Sequence, residues 1–254
     1  MHYIEKGKHK TLMRNFYHTI LINIHRIVYY VVKSRWWLRD VNSHSEEERY
    51  ALANEMIIKM NKSAGTTTVG YGEENLPKEG GYLLVPNHQG KYDVCGIANT
   101  HKNPITFVMD EKRSHLILVN EILGLVQGKT IPLDDPRQAL TVFTEIAEEL
   151  REGRRYIIFP EGGYKENNRN IVEDFKPGSF KLALMSHVPI VPVALVDSYK
   201  VYNSDHFGPV QTYVYYLEPI CYEQYKDMKT REIAKLVEGR IKDKIKEHME
   251  KAEQ

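Results

Sequence analysis

The 254-residue sequence predicts an α/β domain, in which helices flank a layered, mostly parallel β-sheet, preceded by an N-terminal amphipathic helical segment. Two observations predict the sheet: short apolar or β-branched runs alternate with longer amphipathic runs, and glycine or proline separates them. A third observation sets the N-terminal segment apart, because two adjacent tryptophans lie there among basic residues. We expect two units, residues 1–44 and residues 45–254.

The composition narrows the possible functions. The chain has 35 basic and 34 acidic side chains, whereas a general nucleic-acid-binding protein carries a strong basic excess. Its mean hydropathy of -0.49 excludes a protein with many membrane spans. The two cysteines, Cys95 and Cys221, lie far apart and predict no disulfide framework. We expect both to be small buried apolar side chains.

Residues 15–32 predict a helix with two chemically different faces. Its polar face carries Asn15, His18, Thr19, Asn23 and Arg26. Its apolar face carries Phe16, Tyr17, Ile20, Ile24, Ile27 and Val31. The basic residues that precede it are Lys6, Lys8, Lys10 and Arg14. Tryptophans 36 and 37 follow among cations, which is typical of a helix lying in the membrane headgroup layer. The alternative is an ordinary amphipathic helix packed on the domain core.

The first helix of the domain begins at a capping box, in which Ser45 is followed by Glu48, and should run to about Ser63. The predicted strands occupy residues 66–71, 82–85, 105–109, 129–133, 155–159, 190–196 and 211–217. The further predicted helices occupy residues 114–125, 136–151, 175–186 and 229–251. Functional sites in such sheets lie beyond the carboxyl ends of the strands, so polar residues there are the candidates for chemistry.

One of these strand ends carries a histidine and an aspartate. The strand at residues 82–85 runs directly into a turn that contains His88 and Asp93. Such a turn can place the carboxylate on one imidazole nitrogen, which fixes the tautomer and leaves the other nitrogen free to take a proton. On its own the pair is equally compatible with a surface histidine near an aspartate that caps a helix.

Further motifs follow, and the first of them lies at the end of a later strand, at the same edge of the predicted sheet. A second apolar strand ends in the sequence Phe-Pro-Glu-Gly-Gly at residues 159–163, which brings Glu161 and Gly162 to a strand end. A Phe-Lys-Pro-Gly element containing Lys176 comes next, and a Val-Pro-Ile-Val-Pro-Val run occupies residues 188–193.

With these motifs in this order, the sequence resembles the glycerolipid acyltransferase family, and most closely the bacterial 1-acyl-sn-glycerol-3-phosphate (lysophosphatidate) acyltransferases. The NHxxxxD motif of that family matches Asn87, His88 and Asp93. Its FPEGTR motif, followed by Phe-Lys-x-Gly, and its VPxxPV motif match the two later segments. A lysine-containing motif, the second of the four, lies between NHxxxxD and FPEGTR and places Lys112 at the expected lysine position. The resemblance covers about residues 65–200.

The resemblance implies an O-acyltransferase of phospholipid biosynthesis that works without a covalent acyl-enzyme. His88 would deprotonate the free hydroxyl of 1-acyl-glycerol-3-phosphate, oriented by Asp93. The alkoxide would attack an acyl thioester, carried by acyl-carrier protein or coenzyme A as co-substrate, and phosphatidate would form. Asn87, Glu161 and Gly162 would belong to the substrate-binding site. The protein would need no cofactor and no metal.

The sequence departs from the family where the family binds phosphate. Gly163 and Tyr164 replace the Thr-Arg of the third motif, FPEGTR. The second, lysine-containing motif ends in Ile-Pro-Leu-Asp-Asp at residues 131–135, where an arginine is usual. Arginine suits phosphate because its fork binds two oxygens. Other cations could replace these arginines, and the candidates for that role are Lys112, Arg137, Lys165, Arg169 and Lys176.

Three alternative functions remain open from the sequence. The missing arginines favour an acyltransferase that acts on glycerol 3-phosphate or another lyso-lipid. A non-catalytic lipid-binding relative would not need the intact His88 and Asp93. A metal-dependent phosphoesterase would need His and Asp ligands at metal spacing, and we find no such set. The expected partners are the membrane surface, the lipid substrate and the thioester carrier, without nucleic acid, and the expected location is the cytoplasmic face of the cell membrane.

Overall fold

The computed structural model describes residues 13–132 and 135–252. Its sheet has seven strands in the order β1-β7-β6-β2-β5-β3-β4. These are β1 (Thr66–Tyr71), β2 (Tyr82–Pro86), β3 (Thr106–Asp110), β4 (Lys129–Ile131), β5 (Arg155–Ile157), β6 (Ile190–Val196) and β7 (Val210–Tyr216). Five neighbouring strands, from β6 to β4, run parallel. The pair β1 and β7 runs in the opposite direction, because β7 is antiparallel to β6.

Helices lie along both faces of this sheet. They are α1 (Arg14–Ile22), α2 (Ile24–Trp37), α3 (Glu46–Ser63), α4 (Asp93–Thr100), α5 (Glu111–Ser114), α6 (Val119–Leu125), α7 (Pro136–Arg151), α8 (Lys181–Ser186), α9 (Tyr199–Tyr202), α10 (Tyr222–Tyr225) and α11 (Thr230–Ala252). Short 3-10 helices occupy Leu38–Ser43, Glu73–Asn75 and Pro177–Phe180. The mostly parallel α/β architecture predicted from the sequence is confirmed.

The central strand β2 shows how the sheet separates two cores. Successive side chains of a strand point to opposite faces. Leu84 accordingly packs with residues of α2, α3, α4 and α6, whereas Leu83 and Val85 pack with residues of α7, α8 and α11. All residues of β2 are buried, as expected for a strand that is covered on both faces. The carboxyl end of β2 is therefore held rigidly from both sides.

Several predicted elements are shorter or interrupted in the structure. The predicted helix over residues 114–125 is shortened to α6, which begins at Val119 because Leu118 adopts a left-handed φ of 72°. The predicted helix over residues 175–186 begins as a 3-10 turn at Pro177. The Ser45 capping box is confirmed. Cys221 is exposed and Cys95 only half-buried, so the prediction that both are buried was wrong.

Three residues of the predicted polar face, Asn15, Thr19 and Asn23, point into the protein. Asn15 exchanges hydrogen bonds with both backbone groups of Gly208, at 3.1 and 3.0 Å. Asn23, which separates α1 from α2, is fully buried and donates to the hydroxyl of Ser63 at 2.8 Å. These amides are satisfied by partners on the domain, and this compensates for their removal from water.

The opposite face of α1 and α2 is apolar and exposed. The side chains on this outward stripe, all more than half exposed, are Tyr17, Leu21, Ile24, Val28, Val32 and Trp36. On the inner side, Ile27 and Tyr30 belong to the same core as α3, so α2 is packed on the domain. No helix in the described part of the chain is long and apolar enough to span a membrane. The predicted basic residues Lys6, Lys8 and Lys10 lie outside the described residues. The boundary between residues 44 and 45 stays a prediction.

Candidate active site

The loop that follows β2 is fastened to the neighbouring strand β6. Asn87, directly after β2, accepts a hydrogen bond from the backbone N–H of Leu195 at 2.8 Å and donates to the carbonyl of Leu195 at 3.2 Å. Its side chain is fully buried. The Asn87 amide therefore holds the loop against the sheet, and a contact of Asn87 with the substrate stays a prediction.

His88 and Asp93 are joined by a direct hydrogen bond. The distance from His88 Nδ1 to Asp93 Oδ2 is 2.7 Å, and Asp93 is the first residue of α4. The same carboxylate oxygen accepts the backbone N–H groups of Gln89 and Gly90, and Ser198 Oγ donates to the other oxygen at 2.5 Å. Because donors surround Asp93, it acts as the acceptor for Nδ1–H. The proton on Nδ1 leaves Nε2 as the nitrogen with a free lone pair.

Two aromatic rings fix the plane of the His88 imidazole. Phe159 stacks on it, with the ring centroids 4.1 Å apart, and Tyr164 approaches edge-on at 4.6 Å. Only 16% of the His88 side chain is exposed. The imidazole is thus held in one orientation, which is a requirement for a base that must meet a proton in a defined geometry.

Glu161 lies beside this pair and binds the backbone of His88. Its Oε1 accepts the His88 N–H at 2.9 Å, whereas its buried Oε2 has no hydrogen-bond partner among the residues that the structure describes. Burial raises the pKa of Glu161 to about 8, and backbone donors only partly oppose that effect. A carboxyl with such a pKa is mostly protonated near neutral pH and can donate a hydrogen bond as well as accept one.

The predicted cations lie around the third motif but in different settings. The side chain of Lys176 crosses over Gly162, where an added Cβ would lie 2.4 Å from the lysine Nζ. Gly162 also has a φ of +70°, so glycine suits this turn for two reasons. Lys165 is exposed and forms an ion pair with Glu173 at 2.7 Å. Arg169 is exposed with a left-handed φ of 54°.

The second motif region differs from its prediction in detail. Lys112 is exposed on α5, next to Arg113. Asp135 accepts hydrogen bonds from the first backbone N–H groups of α7, at 3.0 and 3.1 Å, so its carboxylate serves as a helix cap. Arg137 is exposed in the first turn of that helix. Asp134 lies outside the described residues.

Three functional candidates were missed by the sequence reasoning. Ser198 follows β6, and Lys91 lies inside the loop between His88 and Asp93. Arg113 follows β3, and its guanidinium lies 5.8 Å from the ring centroid of Tyr164. The signal that could have found them is topological. The strands β6, β2, β5 and β3 are parallel neighbours, so the residues after all four meet at one edge of the sheet.

An α/β domain with a histidine base at the carboxyl end of a central parallel strand is compatible with several hydrolases and transferases, and comparison with known proteins narrows the class. The family model described as Acyltransferase matches residues 68–196, which is just over half of the chain and includes His88, Asp93 and Glu161. The protein belongs to this acyltransferase family.

Individual relatives agree with that assignment. The chain is 28% identical over 144 residues to the 1-acyl-sn-glycerol-3-phosphate acyltransferase of Borreliella burgdorferi, covering 57% of this chain and 54% of the relative. It is 25% identical over 179 residues to the enzyme of the same name from Saccharomyces cerevisiae, covering 69% and 59%. The chain thus spans little more than half the length of these relatives.

A solved structure resembles nearly the whole chain. The crystal structure of the 1-acyl-sn-glycerophosphate (LPA) acyltransferase from Thermotoga maritima superposes with a TM-score of 0.71 at 25% sequence identity. The match covers 94% of this chain and 95% of the Thermotoga protein. The likeness therefore extends to the N-terminal helices as well as to the sheet.

Proposed function

We propose that this protein transfers a fatty acyl group from an acyl thioester to the free hydroxyl of 1-acyl-sn-glycerol-3-phosphate and so makes phosphatidate. The observation that carries the proposal is the His88–Asp93 pair. It lies in the segment that matches the acyltransferase family, with Nε2 free to accept a proton. The names of the relatives supply the acceptor, and the thioester is that of coenzyme A or acyl-carrier protein.

The reaction follows from the orientation of His88. Nε2 takes the proton of the acceptor hydroxyl as its oxygen attacks the thioester carbonyl carbon. When the tetrahedral intermediate collapses, the C–S bond breaks and the new ester remains. The thiolate then takes the proton from the imidazolium, which restores neutral His88. Asp93 stabilises the imidazolium through Nδ1–H, and a general base of this kind contributes about 10²–10⁴-fold to the rate.

Glu161 has a separate part in this proposal. With a pKa of about 8, it is mostly protonated at pH 7. A neutral carboxyl adds no negative charge next to Asp93, so it neither repels an anionic acceptor nor competes for the His88 proton. Its buried Oε2 lacks a hydrogen-bond partner within residues 13–132 and 135–252, and a hydroxyl group of the acceptor is a suitable one.

A second acceptor class is supported by one specific observation. Tyr164 stands where the family resemblance leads us to expect an arginine, and a tyrosine side chain carries no positive charge to pair with a phosphate. A lyso-lipid with a neutral or larger headgroup, or glycerol 3-phosphate, is the alternative acceptor. Lysophosphatidate is favoured because cations lie around Tyr164 and Asp135 is engaged in capping α7.

The N-terminal helices support attachment to a membrane surface. Their outward stripe of apolar side chains would be costly in water but stable in the headgroup layer, at roughly 25 cal/mol per Å² of buried apolar area. Arg35 of α2 also forms an ion pair with the buried Glu121 of α6 at 2.7 Å, which fastens the helix to the domain. We propose peripheral or monotopic attachment at the cytoplasmic face of the cell membrane.

The test is an acyl-transfer assay with purified protein and mixed micelles. Lysophosphatidate, glycerol 3-phosphate, lysophosphatidylcholine and monoacylglycerol are offered as acceptors, each with acyl-coenzyme A and with acyl-carrier protein. The proposal expects phosphatidate, detected by mass spectrometry, as the fastest-formed product. A preference for any other acceptor, or the formation of free fatty acid in its place, would contradict it.

A further inference from the structure

The ring of Tyr164 carries two cations. Lys91 Nζ lies 5.7 Å and Arg113 Cζ lies 5.8 Å from its centroid. We propose that Lys91 and Arg113, held on Tyr164, form the binding site for the phosphate of the acceptor. This set of three residues, here called the Tyr164 anion site, would replace the motif arginines that the sequence lacks. The inference rests on the proposed function.

The site is adjacent to the catalytic base. The Tyr164 ring contacts the His88 ring at a centroid distance of 4.6 Å, so His88 and the two cations share this ring as a neighbour. In lysophosphatidate, two carbons and one ester oxygen separate the reacting hydroxyl from the phosphorus. A phosphate that binds beside Tyr164 would therefore leave the hydroxyl within reach of His88 Nε2. Cations farther from the His88 ring could not serve both ends of so short an acceptor.

The charge of Lys91 is available to a ligand. Its ammonium contacts the sulfur of Met13 at 3.3 Å and lies 5.7 Å from the ring centroid of Phe16, and neither neighbour carries a charge. Aromatic rings and thioethers hold a cation in place without neutralising it. An incoming phosphate would thus find an ammonium that is already positioned, and the side-chain entropy lost on binding would be small.

Arg113 is only weakly compensated. The Oδ2 of Asp110 lies 4.0 Å from its Nε, at the outer limit of an ion pair, and Asp110 also caps the N-terminus of α5 through Oδ1. The guanidinium presents several N–H groups in a fixed plane, which matches the oxygens of a phosphate monoester. Lys165 differs, because Glu173 pairs with it at 2.7 Å and would have to be displaced.

The position of Lys91 also links the anion site to the N-terminal helices. Met13 and Phe16 belong to the start of α1, whose outward side is apolar. A lysophosphatidate molecule whose acyl chain remains in the membrane would therefore carry its headgroup to a lysine that borders the membrane-facing helix. The same lysine lies in the loop between His88 and Asp93, so the phosphate would be fixed by the loop that carries the base.

The experiment compares two acceptors in neutral detergent micelles, lysophosphatidate and monoacylglycerol, which share the glycerol and acyl chain and differ in the phosphate. The variants are Lys91→Met, Arg113→Met and the double variant. Lys102→Met is the control, because Lys102 is a strongly exposed lysine paired with Glu73. The quantity measured is the ratio of kcat/KM for the two acceptors.

Each single variant should lower that ratio about tenfold, chiefly through KM for lysophosphatidate, since a charge-assisted hydrogen bond contributes about 1.5–3 kcal/mol. The double variant should lower it further, and Arg113→Lys should restore part of the loss. The control should leave the ratio unchanged.

Two different failures can be told apart. In the first, the wild type acylates lysophosphatidate, and the ratio for the double variant stays within twofold of the wild-type ratio. This result would overturn the anion site but keep the proposed function. A wild type that uses monoacylglycerol and ignores lysophosphatidate would reject the proposed function, and the anion site with it. A fall in the ratio for Lys102→Met as large as that for Lys91→Met would reduce the effect to net charge and also overturn the site.

Discussion

The loop around His88 and the cations around Tyr164 lie side by side but are built in opposite ways. In the loop, the polar side chains of Asn87, Gln89 and Asp93 are buried, and each is bound by partners on β6 or on the turn after it. The cations Lys91 and Arg113 are exposed and held by rings. The geometry of the His88–Asp93 pair is thus fixed by many buried hydrogen bonds. In our proposal, recognition of the acceptor phosphate depends instead on a few surface side chains that can change without disturbing the fold.

The largest expected effect is in the loop. We predict that His88→Ala lowers the rate of acyl transfer by about 10²–10⁴-fold, because it removes the general base while leaving the hydrogen bonds that the loop N–H groups donate to Asp93. The measurement is turnover with purified variant, and an unchanged circular dichroism spectrum is the control. Near wild-type turnover by a folded His88→Ala variant would show that His88 is not the general base.

A smaller effect is expected from Ser198, which acts on Asp93 rather than on the substrate. Ser198→Ala removes one donor from the carboxylate and leaves three, so kcat should fall about tenfold with little change in KM. Ser204→Ala is the matched control, since the Ser204 hydroxyl donates to the backbone carbonyl of Lys200 and accepts the backbone N–H of His206. Equal kinetics for Ser198→Ala and wild type would remove this residue from the account.

The outward stripe of α1 and α2 allows a test of membrane attachment. Replacing Leu21, Val28 and Val32 together with serine should lower binding to anionic vesicles at least about tenfold, since a fully buried side chain of this size contributes about 1.5–3 kcal/mol. Leu140→Ser, at an exposed leucine on α7, is the control. Deleting residues 1–40 is a poorer test because Ile27 and Tyr30 would be lost from the core. Unchanged sedimentation with vesicles would place the attachment elsewhere.

Glu161 predicts a pH dependence of stability. Its pKa is about 8 in the folded protein and 4.5 ordinarily, so between these values the folded state binds more protons than the unfolded state. The contribution of Glu161 to the free energy of unfolding therefore falls as the pH rises from about 4.5 to 8. Above that range its contribution no longer changes with pH. Glu161→Gln keeps an acceptor for the His88 N–H and should flatten that slope. Urea unfolding at pH 5.5 and 8.5 measures the difference, and parallel slopes in both proteins would contradict the assignment.

The smallest effect is expected at Lys165. Because Glu173 already pairs with this exposed lysine, Lys165→Met should change kcat/KM for lysophosphatidate less than twofold, against about tenfold for Lys91→Met. Direct contacts of Lys112, Arg169 and Lys176 with the acceptor stay predictions, and the same assay tests them. A larger loss for Lys165→Met than for Lys91→Met would reverse the roles of the two lysines.

The same contrast explains what the sequence could reveal. His88 and Asp93 were predicted because they follow a strand end within an ordered set of family motifs, and β2 begins and ends close to where the apolar pattern places it. The fold was predictable for the same reason, since Leu83 and Leu84 reflect a strand buried on both faces.

The remaining features depend on contacts between distant residues. The inward turn of Asn15 and Asn23 follows from partners at Gly208 and Ser63, which helical periodicity alone does not reveal. The burial of Asn87 follows from its pairing with Leu195, more than a hundred residues away. The placement of Lys91 and Arg113 beside one tyrosine ring depends on how three segments, each following a different strand, meet in space. No local sequence pattern encodes that meeting.

A double-variant cycle tests the central claim most directly, namely that Asp93 acts on catalysis through His88. The rates of acyl transfer to lysophosphatidate are measured for wild type, His88→Ala, Asp93→Asn and the combined variant, with folding checked for each. The account predicts that the combined variant is no slower than His88→Ala alone, because Asp93 has nothing left to orient. If the two losses multiply in the combined variant, Asp93 acts independently of His88 and the proposed base is wrong.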